Sequence, residues 1–321
     1  MLTGLQAGTG STAPRLSNDT RLGYEGDTDG EFILSDLNYR QLIGNRFAFV
    51  IGPRGVNAVN VFRGANRIES AGRGPLSAFA QRNPIINIGG SGGIGFDWQL
   101  NPRLSVQGVY SASLLGDTEN GGIFGGEDGE TATGIQLTAV PFDTLDVTFS
   151  YVNAYSPFGR LGTGIGDDQL TTLDAPLKTQ AYGITVAWQP TSQFRLGGWG
   201  GYTHSVIPGR TGSVETFNWM AFANLSDIFI TDDLLGVYVG QPPRISSSTL
   251  PVGQNIPDLL AGGLGEEGEQ PGTTTHVELF YRFPIAENIV LTPGAIVLFE
   301  PGNTPDSDTI VIGALRMTFN F

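Results

Sequence analysis

The residues that could make or break a bond come first. Gly89-Gly90-Ser91-Gly92-Gly93 has the spacing of a nucleophilic serine elbow, Gly-x-Ser-x-Gly. That turn works only where a strand precedes it and a helix follows, so that the serine oxygen stands over a sheet end. Here the following residues, Ile94 to Leu100, alternate apolar and polar as a strand does. A serine also needs a base, and the chain has two histidines, His204 and His276, neither with a partner at ligand or hydrolase spacing. The same glycine run, and Gly162–Gly166, have no helix opening after them and so do not read as phosphate loops. Asp27-Thr28-Asp29-Gly30-Glu31 opens like a calcium loop but lacks the rest of the pattern; it reads as a hydrated hairpin loop, with weak surface Ca²⁺ or Mg²⁺ bridging to lipopolysaccharide as the alternative. We therefore expect no enzyme: no catalytic residue, no cofactor and no resident metal.

What remains is charge without a reactive partner. Segment 54–90 carries Arg54, Arg63, Arg67, Arg73 and Arg82 against one acid, Glu69. The other long segments between strands are acidic, for example Asp117, Glu119, Glu127, Asp128 and Glu130, or Glu266, Glu267 and Glu269. The chain as a whole has net charge −14, with Lys178 its single lysine. An acidic balance argues against nucleic acid as partner. A basic segment within it sets a local positive potential. We expect 54–90 to fold inward as a constriction loop whose arginines favour anions or hydroxyl-rich solutes. The alternative is a solvated surface loop whose arginines bind lipopolysaccharide phosphates or neighbouring acids.

The elements that position these charges read as strands. Charged residues make up 15% of the chain and glycine is frequent at 47, a profile of short strands and tight turns rather than of helices. No apolar run approaches the roughly 20 residues of a membrane helix. Cysteine is absent, which excludes disulfide staples and cysteine-ligated metals. Fourteen alternating segments are expected near 2–8, 31–42, 46–53, 91–100, 104–112, 131–142, 145–156, 178–189, 194–206, 214–226, 233–242, 274–284, 289–300 and 309–321. The links between them alternate long and short, the pattern of an up-and-down membrane barrel. Within the segments, Ile94, Phe96 and Trp98 oppose Gly95 and Asp97, and Val277, Leu279, Tyr281 and Phe283 oppose Glu278 and Arg282. An arginine or lysine on a lipid-facing midplane position costs about 2–4 kcal/mol, so charges belong on the wet parity. Asp36, Arg40, Asp97, Asp146, Arg195, Glu278, Arg282 and Arg316 all fall there, and we expect them to line a lumen. Aromatics gather near the short turns (Trp98, Phe142, Trp188, Phe283, Phe319, Phe321) and again toward the long links (Tyr110, Tyr155, Tyr202, Phe217), as two interface belts would. Two places fit poorly: 233–242 is apolar on both faces, and Pro293-Gly294 interrupts its strand, which suggests a bulge or kink. The fold expected is all-β: one antiparallel, up-and-down transmembrane β-barrel over 1–321. The chain's end on an aromatic strand residue suggests that this strand closes onto the first.

The runs L-T-G-L-Q-A-G (2–8) and D-L-N-Y-R-Q-L-I-G-N-R-F (36–47), the arginine-bearing loop and the final T-F-N-F resemble the cyanobacterial outer-membrane porins. These are relatives of the carbohydrate-selective OprB-type porins and are often labelled iron-uptake porins. The resemblance extends over essentially the whole chain. It implies a barrel of sixteen strands, with two strands and a cell-wall-binding S-layer-homology domain expected upstream of residue 1, and assembly into trimers. It also implies a water-filled channel for passive diffusion of small hydrophilic solutes: inorganic ions, iron or sugars. Outer-membrane lipid and lipopolysaccharide would surround it. The rival expectation is a plugged barrel with a structural or envelope-anchoring role.

Overall fold

A computed structural model of the chain describes residues 1–9, 17–23, 26–66, 68, 72–172, 175–257 and 268–320. Its framework is one sheet of fourteen antiparallel strands in sequence order, β1 to β14. They are β1 (Leu2–Gln6), β2 (Ile33–Ile43), β3 (Phe47–Arg54), β4 (Gly92–Asn101), β5 (Leu104–Ala112), β6 (Thr131–Phe142) and β7 (Leu145–Ser156). The second half continues with β8 (Leu177–Trp188), β9 (Phe194–Val206), β10 (Val214–Ser226), β11 (Leu234–Ser248), β12 (Thr275–Ala286), β13 (Ile289–Phe299) and β14 (Ile310–Phe319). Each strand pairs with its chain neighbours, so the links alternate between the two ends of the sheet, longer at one end and shorter at the other except at 207–213 and 227–233, which are equal in length. Among the described residues β14 pairs with β13 and β1 with β2, with no ladder between β1 and β14.

The two-residue rhythm sorts the faces as the sequence requires. Ile94, Trp98, Phe149, Ile184, Trp188, Leu279 and Leu315 are exposed on one side. Asp97, Gln107, Gln136, Thr148, Thr185, Thr203 and Asn218 are buried on the other. Apolar outside and polar inside inverts a water-soluble sheet and suits hydrocarbon around a polar interior. No described helix is long and apolar enough to cross a membrane.

Two local expectations change. β11 does not stop near 242 but runs through Pro242 and Pro243 to Ser248. Its ladder with β12 ends at Gly240–His276, so neither proline removes a bond on that side. On the β10 side the register shifts twice, between Glu215 and Thr216 and between Phe217 and Trp219, which lets the prolines pass. Pro293 makes no bulge. It stays in register with Leu315 of β14, while the β12–β13 ladder only skips from Phe280–Gly294 to Phe283–Leu291.

The link from β3 to β4 runs along the polar face. It contains two single-turn helices, α1 (Ala58–Val61) and α2 (Ala78–Gln81), and a 3-10 turn at Pro84–Asn87. Glycines make room for it. A Cβ on Gly95 of β4 would fall 2.8 Å from Val61 Cγ2, and one on Gly183 of β8 would fall 2.5 Å from Ile85 Cδ1. One segment meets β4, β8 and, through Leu76, Gly294 of β13, so the sheet must curl around it. Beyond these points, Phe79 and Leu76 join a buried cluster with Trp199, Phe222, Tyr238 and Phe280, aromatics of β9 to β12 that point inward.

Candidate functional site

Local capping shapes the loop before any long-range contact does. Asn57 accepts from Asn60 N–H (3.1 Å) at the start of α1, and Ser77 Oγ accepts from Ala80 N–H (3.0 Å) at the start of α2. Asn83 Oδ1 does the same for Ile85 N–H (3.4 Å) before the 3-10 turn. Each short side chain satisfies a donor that a helix start leaves bare.

Two anchors then hold the loop. At the first, Arg63 donates to Asp97 Oδ2 through Nε (2.8 Å) and Nη2 (2.7 Å). Arg40 approaches the same oxygen at 3.4 Å, Gln107 Nε2 donates to Asp97 Oδ1 (3.1 Å), and Gln136 Nε2 donates to Arg63 O (2.7 Å). Asp97 is buried while Arg40 and Arg63 stay substantially exposed, so both guanidiniums present one face to open space. At the second anchor the loop's backbone is gripped directly. Arg316 donates to Gly74 O (2.6 Å) and Pro75 O (3.1 Å), Thr318 Oγ1 to Gly72 O (2.7 Å) and Arg282 to Arg73 O (3.0 Å). Glu278, fully buried, accepts from Leu76 N–H (2.5 Å), Ser77 N–H (3.2 Å) and Ser77 Oγ. Between the anchors, Asn83 Nδ2 donates to Gly200 O (2.9 Å) and Asn218 Nδ2 to Asn83 Oδ1 (3.2 Å).

The residues singled out in the sequence therefore part into groups. Arg40, Arg63 and Asp97 come together. Asp146 and Arg195 form a separate buried pair at 3.6 Å, with Arg195 also donating to Gln189 (2.5 Å). Glu278, Arg282, Arg316 and Arg73 gather at the second anchor. Of these, Glu278 and Arg316 are buried against the loop rather than facing open space. Asp36 accepts from Ser35 Oγ (2.9 Å) opposite Gly4 of β1. Arg54 ends β3 in exposed surroundings, 3.5 Å from Ser91 Oγ. Arg73 reaches Asn320 (3.1 Å). Arg82 donates to Gln81 (3.1 Å) and Asn87 (3.5 Å). Arg67, Glu69 and Phe321 lie outside the described residues.

Three cavities follow the first anchor. One of about 340 Å³ is bordered by Asn38, Arg40, Asn60 and Asp97. The second, about 300 Å³, is bordered by Asn60, Arg63, Arg82, Gln136, Ser150 and Thr185. The third, about 450 Å³, has Arg21, Arg82, Glu130, Arg160 and Asp168 on its walls. Asn60 lines the first two and Arg82 the second and third. Arg21 and Arg160 escaped notice in the sequence because each sits in a loop whose overall charge is acidic. Burial raises the Glu130 carboxyl above its usual range, against the pull of Arg160 and with a push from Asp168.

The arrangement offers fixed guanidinium, amide and hydroxyl groups around open space. Ser91 precedes β4 directly, with no helix after it. Ser77, His276 and Glu278 do touch, with Ser77 Oγ 3.3 Å from His276 Nε2, yet all three are shut away from solvent and Ser77 is spent on capping α2. Among the described residues, no group of three or more His, Cys, Asp or Glu stands at metal-binding spacing.

Known proteins place this geometry in a family. An uncharacterized protein of Synechocystis sp. is 25% identical, covering 95% of this chain and 57% of its own length. An uncharacterized protein of Nostoc sp. is 27% identical, covering 78% of this chain and 43% of its own. The chain thus spans about half the length of the curated relatives it matches. Among solved structures, an anion-selective porin from Comamonas acidovorans is similar, with a TM-score of 0.56 at 10% identity, over 89% of this chain and 75% of that one. OprB of Pseudomonas putida gives 0.52 at 12% identity, over 91% and 74%. OmpT of Vibrio cholerae in its trimer form gives 0.53 at 9%, over 90% and 79%. At such identities the likeness shows the shared fold. Residues 9–321 match the family described as carbohydrate-selective porin, OprB family, and the chain belongs to it.

Proposed function

We propose that the chain forms a water-filled channel in the outer membrane, through which small hydrophilic solutes diffuse passively, and that loop 54–90 is its constriction. The observation that carries this reading is the pair of neighbouring cavities at the Arg63 anchor, one bordered by Arg40 and Asp97, the other by Arg63 and Arg82 facing Gln136, Ser150 and Thr185. A solute there exchanges water for fixed amide, hydroxyl and guanidinium groups, and the positive potential favours anions and hydroxyl-rich molecules. Inorganic ions, sugars or complexed iron all fit that description. Exposed aromatic and aliphatic side chains on the outer face suit lipid and lipopolysaccharide as surroundings. A homotrimer is the assembly we propose, by analogy with the trimer form of OmpT. Cell-wall binding would fall to a segment outside this chain.

The decisive experiment is single-channel recording in planar bilayers, with reversal potentials under a salt gradient. Arg63→Ala and Arg82→Ala should each move selectivity toward cations. Absence of current from folded protein would sink the channel reading in favour of a plugged, envelope-anchoring barrel. That second reading draws on the aromatic cluster of Trp199, Phe222, Tyr238 and Phe280, which fills the other side of the interior.

A further inference from the structure

Two carboxylates that the channel reading does not use lie where four loop-side segments meet. Asp19 sits in a 3-10 turn, Asn18–Thr20, and Asp167 in the link between β7 and β8. Asn18 Nδ2 donates to Gly166 O (3.1 Å), which ties together the residues just before each of them. A turn after β13, Pro301–Asn303, touches both: Gly302 N–H donates to Asp19 Oδ2 (2.7 Å), and the Asn303 side chain donates to Asp167. From the segment around β11, Ile245 N–H (2.7 Å) and Gln270 Nε2 (3.1 Å) donate to Asp167. Thr274 Oγ1 and Ser17 Oγ complete the set around Asp19 Oδ2, at 3.4 and 3.3 Å.

This junction is electrically incomplete. Among the described residues neither carboxylate makes an ion pair with a lysine or arginine. Burial, the largest influence, pushes Asp167 up to about 6 and raises Asp19 as well, and the charge of Asp19 adds to the rise at Asp167. His276 of β12 pulls Asp19 back only in part. More telling are two buried oxygens with no hydrogen-bond donor, Asp19 Oδ1 and Gln270 Oε1, on side chains 3% and 2% exposed. Gln270 Nε2 donates to Asp167, so the residue that carries the second bare oxygen is tied to that carboxylate. A buried acceptor left bare is costly, and a carboxylate more so.

We propose that Asp19, Asp167 and Gln270 bind one calcium ion. Carboxylate and amide oxygens are the ligands of a hard cation, and irregular oxygen sets on several loops suit calcium better than magnesium, which demands near-ideal octahedral geometry. Asp167 is partly exposed, while Asp19 and Gln270 are buried. Bound there, it offsets the repulsion between the two acids and fastens four loop-side segments to one point. The site is distinct from the exposed Asp27–Glu31 loop, where Asp27 Oδ1 accepts from Asp29 N–H (3.0 Å).

Calorimetric titration of calcium into the full chain folded in detergent tests the proposal, and does so whether or not the protein conducts. The wild type should bind one calcium per chain, and Asp29→Asn should bind it equally. Asp19→Asn and Asp167→Asn should lose binding, and Gln270→Leu should weaken it about tenfold or more. Unchanged circular dichroism certifies the fold of each variant; should an aspartate variant misfold, the Gln270 variant decides alone. No binding by the wild type, or full-strength binding that survives Asp167→Asn or Gln270→Leu, overturns the site.

Discussion

The two sides of the interior share one strand parity and differ in whether large aromatics fill it and in how they hold the loop. Along β4 to β8, inward amides, hydroxyls and charges are mixed with small or branched apolar side chains such as Val109, Val152 and Ala181, an exposed guanidinium on a buried carboxylate helps hold the loop, and open space survives. Along β9 to β13, inward residues include Trp199, Met220, Phe222, Tyr238 and Phe280, packed on Phe79 and Leu76. There the loop is gripped by its backbone. Inward, then, is not the same as wet. A loop inside a barrel needs one side that packs, so that its other side can stand in water.

The contrast can be broken most forcefully on the packed side. Phe280→Ala leaves a cavity in the aromatic cluster and should cost about 3–5 kcal/mol, read as a lowered urea or thermal midpoint in detergent. Glu278→Ala should come next. It strips acceptors from the buried N–H groups of Leu76 and Ser77, at about 1–3 kcal/mol for each group left bare, and should free the loop, giving larger and noisier conductance. Arg63→Ala sharpens the contrast from the open side. Its guanidinium is about half exposed, so stability should fall by no more than about 1 kcal/mol, while reversal potential moves toward cations. An equal loss of stability at Arg63 and Glu278 would erase the distinction between anchors.

The smallest effect lies at the tight-turn end. Asp233 ends the turn before β11, and burial, which raises its carboxyl, is outweighed by donors from Tyr281 and the N–H groups of Ile228, Phe229 and Ile230, leaving it at about 2. A folded value below the unfolded one of about 3.9 means stability that is present above pH ~4 and lost as pH falls through about 2. The thermal midpoint of the wild type should drop across that window, and Asp233→Asn, lower at neutral pH, should converge on it in acid.

Strand positions were legible because their cause is local. Bounds for β5, β6, β7, β9 and β10 are those the alternation gives, and the links between them are set by glycine and polar turn residues. The misreadings are where a local pattern cannot carry the cause. Pro242 and Pro243 look like a strand end unless one knows that β12 has already stopped pairing. Trp199, Phe222 and Phe280 fall on the polar parity, and only the loop lying across them explains why they are not outside. Glu278 and Arg316 read as wall charges because the sequence says which way they point, not what arrives to meet them.

The ties at the second anchor join residues far apart along the chain, 202 positions between Leu76 and Glu278 and 242 between Gly74 and Arg316. Contacts of that span form late, because the intervening polymer must be gathered first. The arginine loop therefore docks at its second anchor only once β12 to β14 have joined the sheet. Until they do, the backbone groups of 72–77 that those strands will hold are answered by water.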